Sequence, residues 1–318
     1  MKTVFGPVPS RRLGRSLGIN NIPPKVCSYS CIYCQLGRAL DMRYERTDFY
    51  NPENIVQAVA SKLDEVRKNG SEVDYLTFVP DGEPTLDIHL GEEIAAVKQL
   101  GVPVALISNA SLMGHASLHE ELAQLDWISL KIDSVNEATW RKVDRPHKDV
   151  QFTKMLEGIA RFAETFPGKL TTESMLISGF NDTEEELDAT GRFLERLEPS
   201  TSYISIPTRP PAEKWAVPAD ELSLTRAYGD FASRVAHVEH LIGYEGTDFA
   251  FSGNAYEDLL SITAVHPMRY DAVEKLLEQD DADKKVLEQL LSEGRIISAE
   301  YHGHTYYVRK FREKQMGN

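Results

Sequence analysis

The chain of 318 residues is 42% hydrophobic and 26% charged, and its formal net charge is −14. This composition predicts a globular protein with one large core, or a large core and a small appended domain; no apolar run reaches the ~20 residues that a membrane-spanning helix needs. The negative net charge argues against indiscriminate binding to nucleic acids, which are themselves polyanions.

Short apolar strands alternate with amphipathic helices along most of the chain. The strands, recognised by β-branched and aromatic residues that end at polar, glycine or proline residues, are predicted at 16–22, 75–79, 104–108, 127–133, 171–177 and 203–206. Helices are predicted at 52–68, 86–100, 115–124, 150–166, 183–197 and 220–238. Such alternation implies parallel strands with right-handed crossovers. We therefore expect an α/β fold, a partial (β/α)6 TIM-like barrel, with its active site at the carboxyl ends of the strands.

The pattern changes after Ser252. Helical stretches are followed by two alternating runs that flank His302-Gly303-His304, which is a hairpin signal. This order predicts a winged-helix-like domain over residues 264–318, appended to a core domain of residues 1–263. Because residues 264–318 contain nine basic and ten acidic side chains, protein–protein or intrachain packing is favoured over contact with RNA or DNA.

The N-terminal segment is basic. Residues 1–46 contain eight basic and two acidic side chains, which is consistent with an anionic ligand or with a solvated charged face. The first residues, MKTVFGPVPSRRLGRS, lack the apolar stretch of a secretory signal. All three cysteines lie within eight positions, which argues against a disulfide framework and for a reducing compartment. We therefore expect a cytoplasmic protein without membrane contacts.

Residues 26–35 read VCSYSCIYCQ, so that three cysteines follow the spacing CxxxCxxC. On a loop, this spacing brings three thiolates to one point. Structural zinc remains an alternative, but it needs a fourth ligand, and the next histidine, His89, lies beyond a long predicted helix. A [4Fe–4S] cluster normally takes one cysteine per iron. Three cysteines would leave one iron open to another ligand.

The segment CSYSCIYC resembles the signature of the radical S-adenosylmethionine (SAM) superfamily. The resemblance implies a [4Fe–4S] cluster on Cys27, Cys31 and Cys34, with the amino and carboxylate groups of SAM on the fourth iron. It also implies that an electron from a low-potential donor of the flavodoxin or ferredoxin type cleaves SAM. The resulting 5′-deoxyadenosyl radical abstracts hydrogen from a substrate, so that the cofactor carries the difficult chemistry.

The same resemblance implies SAM contacts at the ends of successive predicted strands. Tyr33 would lie against the adenine and Asp133 at the ribose, while Gly82 and Glu83, in the sequence DGEP, would lie near the methionine moiety. Taken singly, such residues are ordinary turn glycines, caps or packed aromatics, but their order along the strands favours a SAM site. The full set is Tyr33, Gly82, Glu83, Asn109, Asp133, Ile177 and Gly179.

Longer segments resemble a subgroup related to wyosine-type tRNA-modifying synthetases. They include FGPVPSRRLGRSLGIN, FVPDGEPTL, SNASL, LKIDSVNEATWRKVDRPH and LISGFNDTEEEL, and the similarity covers nearly all of residues 5–270. The wyosine synthases need a second cluster on further cysteines, and this chain has only three cysteines. Their tricyclic-base reaction therefore does not carry over.

Basic side chains near the strand ends are the candidates for substrate chemistry. Arg11 and Arg12 are adjacent guanidinium groups that could clamp a phosphate or a carboxylate. Lys131 is expected to need a partner if it is buried, and an ion pair with Asp133 is the simplest one. The predicted catalytic residues are Lys131, Arg145 and Arg209, and the predicted substrate-binding residues are Arg11, Arg12 and His147.

Three functions are compatible with these features. The first is an enzyme that modifies a macromolecule, most plausibly tRNA, and the basic N-terminal segment favours it. The second is an enzyme that acts on a small metabolite or a peptide, and the acidic net charge favours it. The third is an iron–sulfur redox sensor with a winged-helix regulatory domain, which would not need the SAM contacts. In each case the C-terminal domain is also a candidate site for a partner protein.

Overall fold

A computed structural model describes residues 3–242, 253–265 and 267–310. Within these residues, the main sheet has eight strands and curls into a half-barrel. In spatial order the strands are β1 (Val4–Ser10), β2 (Gly14–Ile19), β5 (Tyr75–Phe78), β6 (Val104–Ser108), β7 (Trp127–Lys131), β8 (Lys169–Met175), β9 (Thr201–Ser205) and β10 (Val238–Leu241). The pair β1–β2 is antiparallel, and every other neighbouring pair is parallel.

Helices pack against the sheet between the parallel strands. They are α1 (Pro52–Lys68), α2 (Leu90–Lys98), α3 (Ala116–Leu122), α4 (Glu137–Val143), α5 (Phe152–Thr165), α6 (Glu184–Leu197) and α7 (Glu221–Ala232). The first of these illustrates the local signals, because the Asn51 side chain accepts a hydrogen bond from the Glu53 N–H at 2.8 Å and proline occupies the first turn. Its buried residues recur at helical spacing and form one apolar face: Ile55, Val59, Leu63 and Val66.

The central strands are buried on both faces, as parallel sheets usually are. Leu76, Phe78, Leu106, Ile128 and Leu130 are all 0% exposed. Each such side chain contributes about 1.5–3 kcal/mol through removal of its surface from water. This packing gives a rigid frame for the loops at the carboxyl ends of the strands.

All six predicted strands are present, and the expected half-barrel is confirmed. Two strands of the main sheet, β1 and β10, were not predicted. The edge strand β1 has the sequence VFGPVPS, whose glycine and prolines lower its β propensity but are tolerated at an edge. The helix predicted at 220–238 is too long, since α7 ends at Ala232 and the short strand β10 begins at Val238.

A separate apolar cluster lies at the C-terminal end of the described chain. Its elements are α8 (Ala255–Val265), β11 (Met268–Arg269), α9 (Tyr270–Gln279), α10 (Lys285–Ser292), β12 (Ile296–Tyr301) and β13 (His304–Arg309). The predicted hairpin is confirmed, with β12 and β13 antiparallel around His302 and Gly303. The predicted domain boundary at 263/264 falls inside α8, whose Leu259 packs with Leu276 and Leu290 of this cluster. Residues 311–318 of the predicted domain lie outside the described residues.

Among the residues that the structure describes, no helix is long and apolar enough to cross a membrane.

Two very short strands, β3 (Val26–Cys27) and β4 (Asp41–Met42), pair in parallel beside the half-barrel. They bracket the loop that carries the cysteines.

Candidate active site

The cysteine loop is held by the segment that follows α4. The Ile32 N–H donates to the Val143 carbonyl at 2.9 Å, and the His147 N–H donates to the Ser28 carbonyl at 2.7 Å. Tyr29 and Pro146 form an antiparallel bridge between the same two segments. The loop is therefore fixed by backbone hydrogen bonds before any ligand binds.

A cavity of about 340 Å³ opens at the carboxyl ends of the strands. The cysteine loop, the ends of β5, β7 and β8 and the loop after β9 all contribute to its wall. Of the residues predicted for the site, those that line it are Arg11, Arg12, Cys27, Cys31, Tyr33, Cys34, Gly82, Lys131 and Arg209. Those that are not part of the described wall are Glu83, Asn109, Asp133, Arg145, His147, Ile177 and Gly179.

The three thiols match a group that takes three protein ligands. The described lining of the cavity contains no histidine and no further cysteine, and its two carboxylates are Asp81 and Glu173. Burial raises the pKa of the Cys27 thiol to about 12 and raises the pKa of the Cys31 and Cys34 thiols as well. A bound metal offsets this cost because it coordinates the deprotonated sulfur.

Glu83 connects the loops after β5 and β6. It is 1% exposed, and its carboxylate accepts hydrogen bonds from the Thr85 hydroxyl at 2.6 Å, the Ser108 hydroxyl at 2.8 Å and the Asn109 N–H at 2.7 Å. The Asn109 side-chain amide in turn lies 3.5 Å from the Cys27 sulfur. Glu83 therefore sets the geometry of these loops from behind the cavity wall.

Asp133 lies beneath Tyr33 and Lys131. The Tyr33 hydroxyl donates to Asp133, and Lys131 Nζ lies 3.4 Å from Asp133 Oδ1 and 4.8 Å from the Tyr33 ring centre. Asp144, which the sequence did not single out, lies 3.2 Å from the Tyr33 hydroxyl oxygen and accepts from the Cys31 thiol at 3.4 Å. Burial raises the pKa of Asp144 well above its usual range, and the charge of Asp133 adds to this effect. Asp144 thus connects Cys31, a predicted ligand of the cluster, with Tyr33, a predicted SAM contact.

Glu173 is a second residue that the sequence analysis missed. Its carboxylate lies 2.5 Å from Arg12 Nη1 and 3.2 Å from Lys131 Nζ, and it accepts a hydrogen bond from the Ser205 hydroxyl at 2.9 Å. Burial alone would raise the pKa of Glu173, but the charges of Lys131 and Arg12 lower it to about 2. A charged residue in the middle of the strand TTESM was the available signal, because such a residue must have a partner.

Arg145 and His147 do not reach the cavity. Arg145 has a left-handed φ of 47°, and its side chain pairs with Glu213 at 2.6 Å and lies 5.6 Å from the Trp215 ring centre. The His147 ring lies 3.4 Å from the Asp149 carboxylate. This segment braces the cysteine loop through its backbone, and both side chains are engaged outside the described wall of the cavity. Direct contact of Arg145 or His147 with a substrate stays a prediction.

The SAM contacts predicted after β8, Ile177 and Gly179, are engaged within their own loop. Ile177 is fully buried and packs with Ile32 of the cysteine loop, and its N–H donates to Asn181 Oδ1 at 2.8 Å. Gly179 has a φ of 74°, and its N–H donates to Asp182 Oδ1 at 2.7 Å. A packing role for Ile177 and a turn role for Gly179 are what these contacts show.

The loop after β9 is held from two sides. Arg209 Nη1 donates to the side-chain oxygen of Gln35, just beyond the last cysteine, at 2.8 Å. From the C-terminal hairpin, the Tyr301 hydroxyl donates to the Pro207 carbonyl at 2.9 Å, and the Tyr306 hydroxyl donates to the Thr208 carbonyl at 3.1 Å. The C-terminal elements therefore contact the wall of the cavity.

Comparisons with known proteins agree with this geometry. The chain is 41% identical over 322 residues to the UPF0026 protein MJ1312 of Methanocaldococcus jannaschii, and the match covers all of both chains. The structure of TYW1 with a lysine–pyruvate adduct bound superposes with a TM-score of 0.54 at 14% identity, over 70% of this chain and 74% of that chain. A radical SAM methyltransferase from Sphaerobacter thermophilus gives 0.53 at 13% identity, over 71% and 66%. At such identities the two structures support the fold alone.

The model of the radical SAM superfamily matches residues 21–194. Enzymes of this superfamily use a [4Fe–4S] cluster and SAM and need a donor such as flavodoxin or ferredoxin, and this favours an enzyme over a redox sensor. Since the match covers more than half of the chain, this protein belongs to the radical SAM superfamily.

Proposed function

We propose that this enzyme cleaves SAM at a [4Fe–4S] cluster held by Cys27, Cys31 and Cys34 and then abstracts hydrogen from an anionic substrate. The observation that carries the proposal is the single cavity lined by all three thiols. Cys27, Cys31 and Cys34 would hold the cluster, which would supply the one-electron reduction of SAM from which the hydrogen-abstracting radical derives. The protein chain binds SAM and the substrate, orients them, and excludes water from the site.

The SAM contacts divide into two kinds. Tyr33 and Gly82 line the cavity, which supports direct contact with SAM. Glu83 and Asp133 are buried behind the wall and hold it through hydrogen bonds, so we assign them positioning roles. Asn109 connects the positioning residue Glu83 with the cysteine loop. Its backbone N–H donates to Glu83, and its side-chain amide lies beside the Cys27 sulfur.

The charge of the cavity wall supports an anionic substrate. The described wall holds five basic side chains and two carboxylates, Asp81 and Glu173, and Glu173 pairs with Arg12 and Lys131. Guanidinium groups bind carboxylates and phosphates through paired hydrogen bonds. The five basic residues are Arg11, Arg12, Lys25, Lys131 and Arg209.

Two classes of anionic substrate fit a cavity wall with this charge. tRNA is the first candidate, supported by the resemblance to the wyosine-related subgroup and by the basic N-terminal segment. A small anionic metabolite or a peptide is the second, supported by the net charge of −14. The three cysteines suit a reducing compartment, and we place the enzyme in the cytoplasm.

The C-terminal elements support an intrachain role. We infer a winged-helix-like unit that includes α8, since that helix shares its apolar cluster. Tyr301 and Tyr306 of its hairpin are engaged with the loop after β9. This use of the hairpin favours packing on the core over nucleic-acid contact, and it leaves the opposite side available to a partner protein.

Anaerobic reconstitution tests the cofactor assignment. The protein should bind iron and sulfide and should form 5′-deoxyadenosine from SAM with dithionite as reductant. Cys31→Ala should lose the cluster and the cleavage, while Ser30→Ala, in the same loop, should keep both. Tetrahedral zinc in oxygen-free preparations, or full activity of the Cys31 variant, contradicts the proposal.

A second experiment separates the substrate classes. Bulk tRNA should bind at low salt and raise the rate of SAM cleavage if tRNA is the substrate. Absence of both effects removes the first candidate. Mass spectrometry of tRNA nucleosides and small metabolites from a deletion strain then identifies the missing product.

A further inference from the structure

An exposed aromatic side chain lies directly outside the cysteine loop. Trp215 is 48% exposed and Val217, two residues on, is 54% exposed. The Trp215 ring is held between the Phe180 ring, 5.7 Å away, and the Arg145 guanidinium, 5.6 Å away. This tryptophan is therefore already ordered in a solvent-facing position, where it costs little entropy to bind a partner.

The backbone of this segment touches the loop that carries the cysteines. The Glu213 N–H donates to the Ile32 carbonyl, between Cys31 and Cys34, at 2.9 Å. Beneath the surface, Ala216 packs with Ile32 in one apolar cluster. A protein seated on Trp215 is thus separated from the cysteine loop by a single layer of chain.

The charge of this surface differs from that of the molecule. Arg38 and Arg145 both pair with the carboxylate of Glu213, at 2.8 and 2.6 Å, and the Arg38 side chain is 68% exposed. Lys214 is exposed beside them. Arg38, Arg145 and Lys214 therefore surround the single carboxylate of Glu213, whereas Asp182 and Asp220 follow Phe180 and Val217 closely in the chain. The positive charge is confined to the side of Arg38 and Lys214, where it attracts an acidic partner to a chain whose net charge is −14.

We propose that Arg38, Phe180, Lys214, Trp215 and Val217 form the donor face, on which a small acidic electron-donor protein of the flavodoxin or ferredoxin type docks. Electron transfer slows steeply with distance, so a donor has to seat on a surface close to the cluster. Tryptophan and arginine are the residues that most often dominate the energetics of such contacts. The inference rests on the proposed cluster at the three cysteines.

The test compares two double variants. Lys214→Glu with Trp215→Ala alters the donor face and leaves Glu213 and the cysteines in place. Lys285→Glu with Ile297→Ala, an exposed lysine and a 45%-exposed isoleucine of the C-terminal elements, is the matched control. A purified flavodoxin and a purified ferredoxin are titrated against each protein to obtain a dissociation constant at low and high salt. SAM cleavage is measured separately with dithionite.

The donor that binds the wild type should bind the donor-face variant at least about tenfold more weakly, as the loss of one anchor and a charge reversal predict. Added salt should weaken wild-type binding more than it weakens binding to this variant. The control variant should bind as the wild type does, and all three proteins should cleave SAM equally with dithionite. Unchanged donor binding by the donor-face variant, or no binding of either donor by the wild type, overturns the proposal. If dithionite drives no cleavage in the wild type while binding still depends on the donor face, the proposed function fails and the docking surface stands.

Discussion

Gly82 packs directly against the backbone carbonyl of Val26, and a Cβ atom built on Gly82 would lie 1.9 Å from that oxygen. Val26 immediately precedes the first cysteine, and Gly82 belongs to the loop that follows β5. Backbone atoms cannot yield to such a contact as a flexible side chain can. This close approach fixes the distance between the cysteine loop and the wall that faces it.

Gly82→Ala should therefore push the two loops apart. We expect a loss of stability of about 1–3 kcal/mol, as for other substitutions that force the backbone to shift, together with reduced iron incorporation on reconstitution. Gly229→Ala is the matched control, because no heavy atom lies within 4 Å of its added Cβ and the residue is in the helix α7. That variant should gain up to about 1 kcal/mol from helix propensity. Normal iron content in Gly82→Ala would contradict the role given to this contact.

Glu173→Gln should destabilise the half-barrel. The substitution leaves Arg12 and Lys131 buried without their shared carboxylate, and such a loss costs about 3–5 kcal/mol in general. Glu72→Gln is the control, since Glu72 pairs with Arg15 at an exposed site, where the expected change is below about 1 kcal/mol. Urea unfolding at neutral pH measures both.

The pH dependence of the stability of Glu173→Gln tests whether the charge of Glu173 causes the loss. The pKa of Glu173 is lowered to about 2, so its ionised form stabilises the fold above the unfolded pKa of about 4.3, and that stability is lost as the pH falls through the folded pKa. The difference between wild type and Glu173→Gln should therefore shrink in acid. A difference that stays constant from neutral pH to acid would mean that the charge of Glu173 is not what stabilises the site.

The predicted ion pair of Lys131 with Asp133 is confirmed at 3.4 Å, but its second partner, Glu173, was not predicted. Lys131 and Glu173 lie opposite each other in the β7–β8 register, and they are 42 positions apart in the chain. Asp133, two residues beyond the end of β7, was the only partner that local spacing could suggest. Cross-strand neighbours depend on register, which a single sequence specifies only through its pattern of buried residues.

The strands and the cysteine loop were predictable because their signals are local. Apolar β-branched runs mark the strands, and three cysteines in one motif mark the loop. Arg145 shows the limit of such signals, because its left-handed backbone turns the side chain to Glu213 and Trp215 rather than to the cavity. Backbone hydrogen bonds between residues 143–147 and the cysteine loop set this direction, and no pattern in the sequence announces them.

Asp133→Asn should weaken SAM binding and leave the cluster in place. The Asp133 carboxylate accepts from the Tyr33 hydroxyl and from the Met175 N–H, the latter at 2.7 Å, and it lies beside Lys131. An amide cannot accept all of these bonds, and hydrogen bonds to charged groups are worth about 1.5–3 kcal/mol, so we expect binding to fall by about tenfold or more. Equilibrium dialysis of SAM and iron analysis measure the two effects. Asp149→Asn, at an exposed position near His147, is the control. Loss of iron from the Asp133 variant would show that this residue supports the cluster instead.

Tyr301→Phe combined with Tyr306→Phe should loosen the loop that carries Arg209. The two hydroxyls donate to the carbonyls of Pro207 and Thr208, and each lost bond costs about 1 kcal/mol. Hydrogen exchange should become faster in residues 206–212, while the sheet is unaffected. Tyr228→Phe is the control, because Tyr228 is 42% exposed and lies on α7. Unchanged exchange in the loop would mean that the C-terminal hairpin does not hold it.

Glu93→Gln should change how stability depends on pH. Glu93 is fully buried, and burial together with the neighbouring Asp87 raises the pKa of Glu93 to about 9. The folded protein thus keeps a proton that the unfolded chain releases above about pH 4.3, so the stability falls with rising pH at up to about 1.4 kcal/mol per unit until the folded pKa is reached. Glutamine does not ionise and removes this slope.

Urea midpoints at about pH 5.5 and 8.5, which lie between the unfolded and folded pKa values, measure the change. The wild type should be less stable at about pH 8.5 than at about pH 5.5, and Glu93→Gln should lose less stability over this range. The difference in free energy of unfolding should therefore shift in favour of the variant at the higher pH. Glu92→Gln, whose side chain is 66% exposed on the same helix, should follow the wild type. If Glu93→Gln and the wild type show the same pH dependence, Glu93 does not hold its proton in the folded protein over this range, and the assignment is wrong.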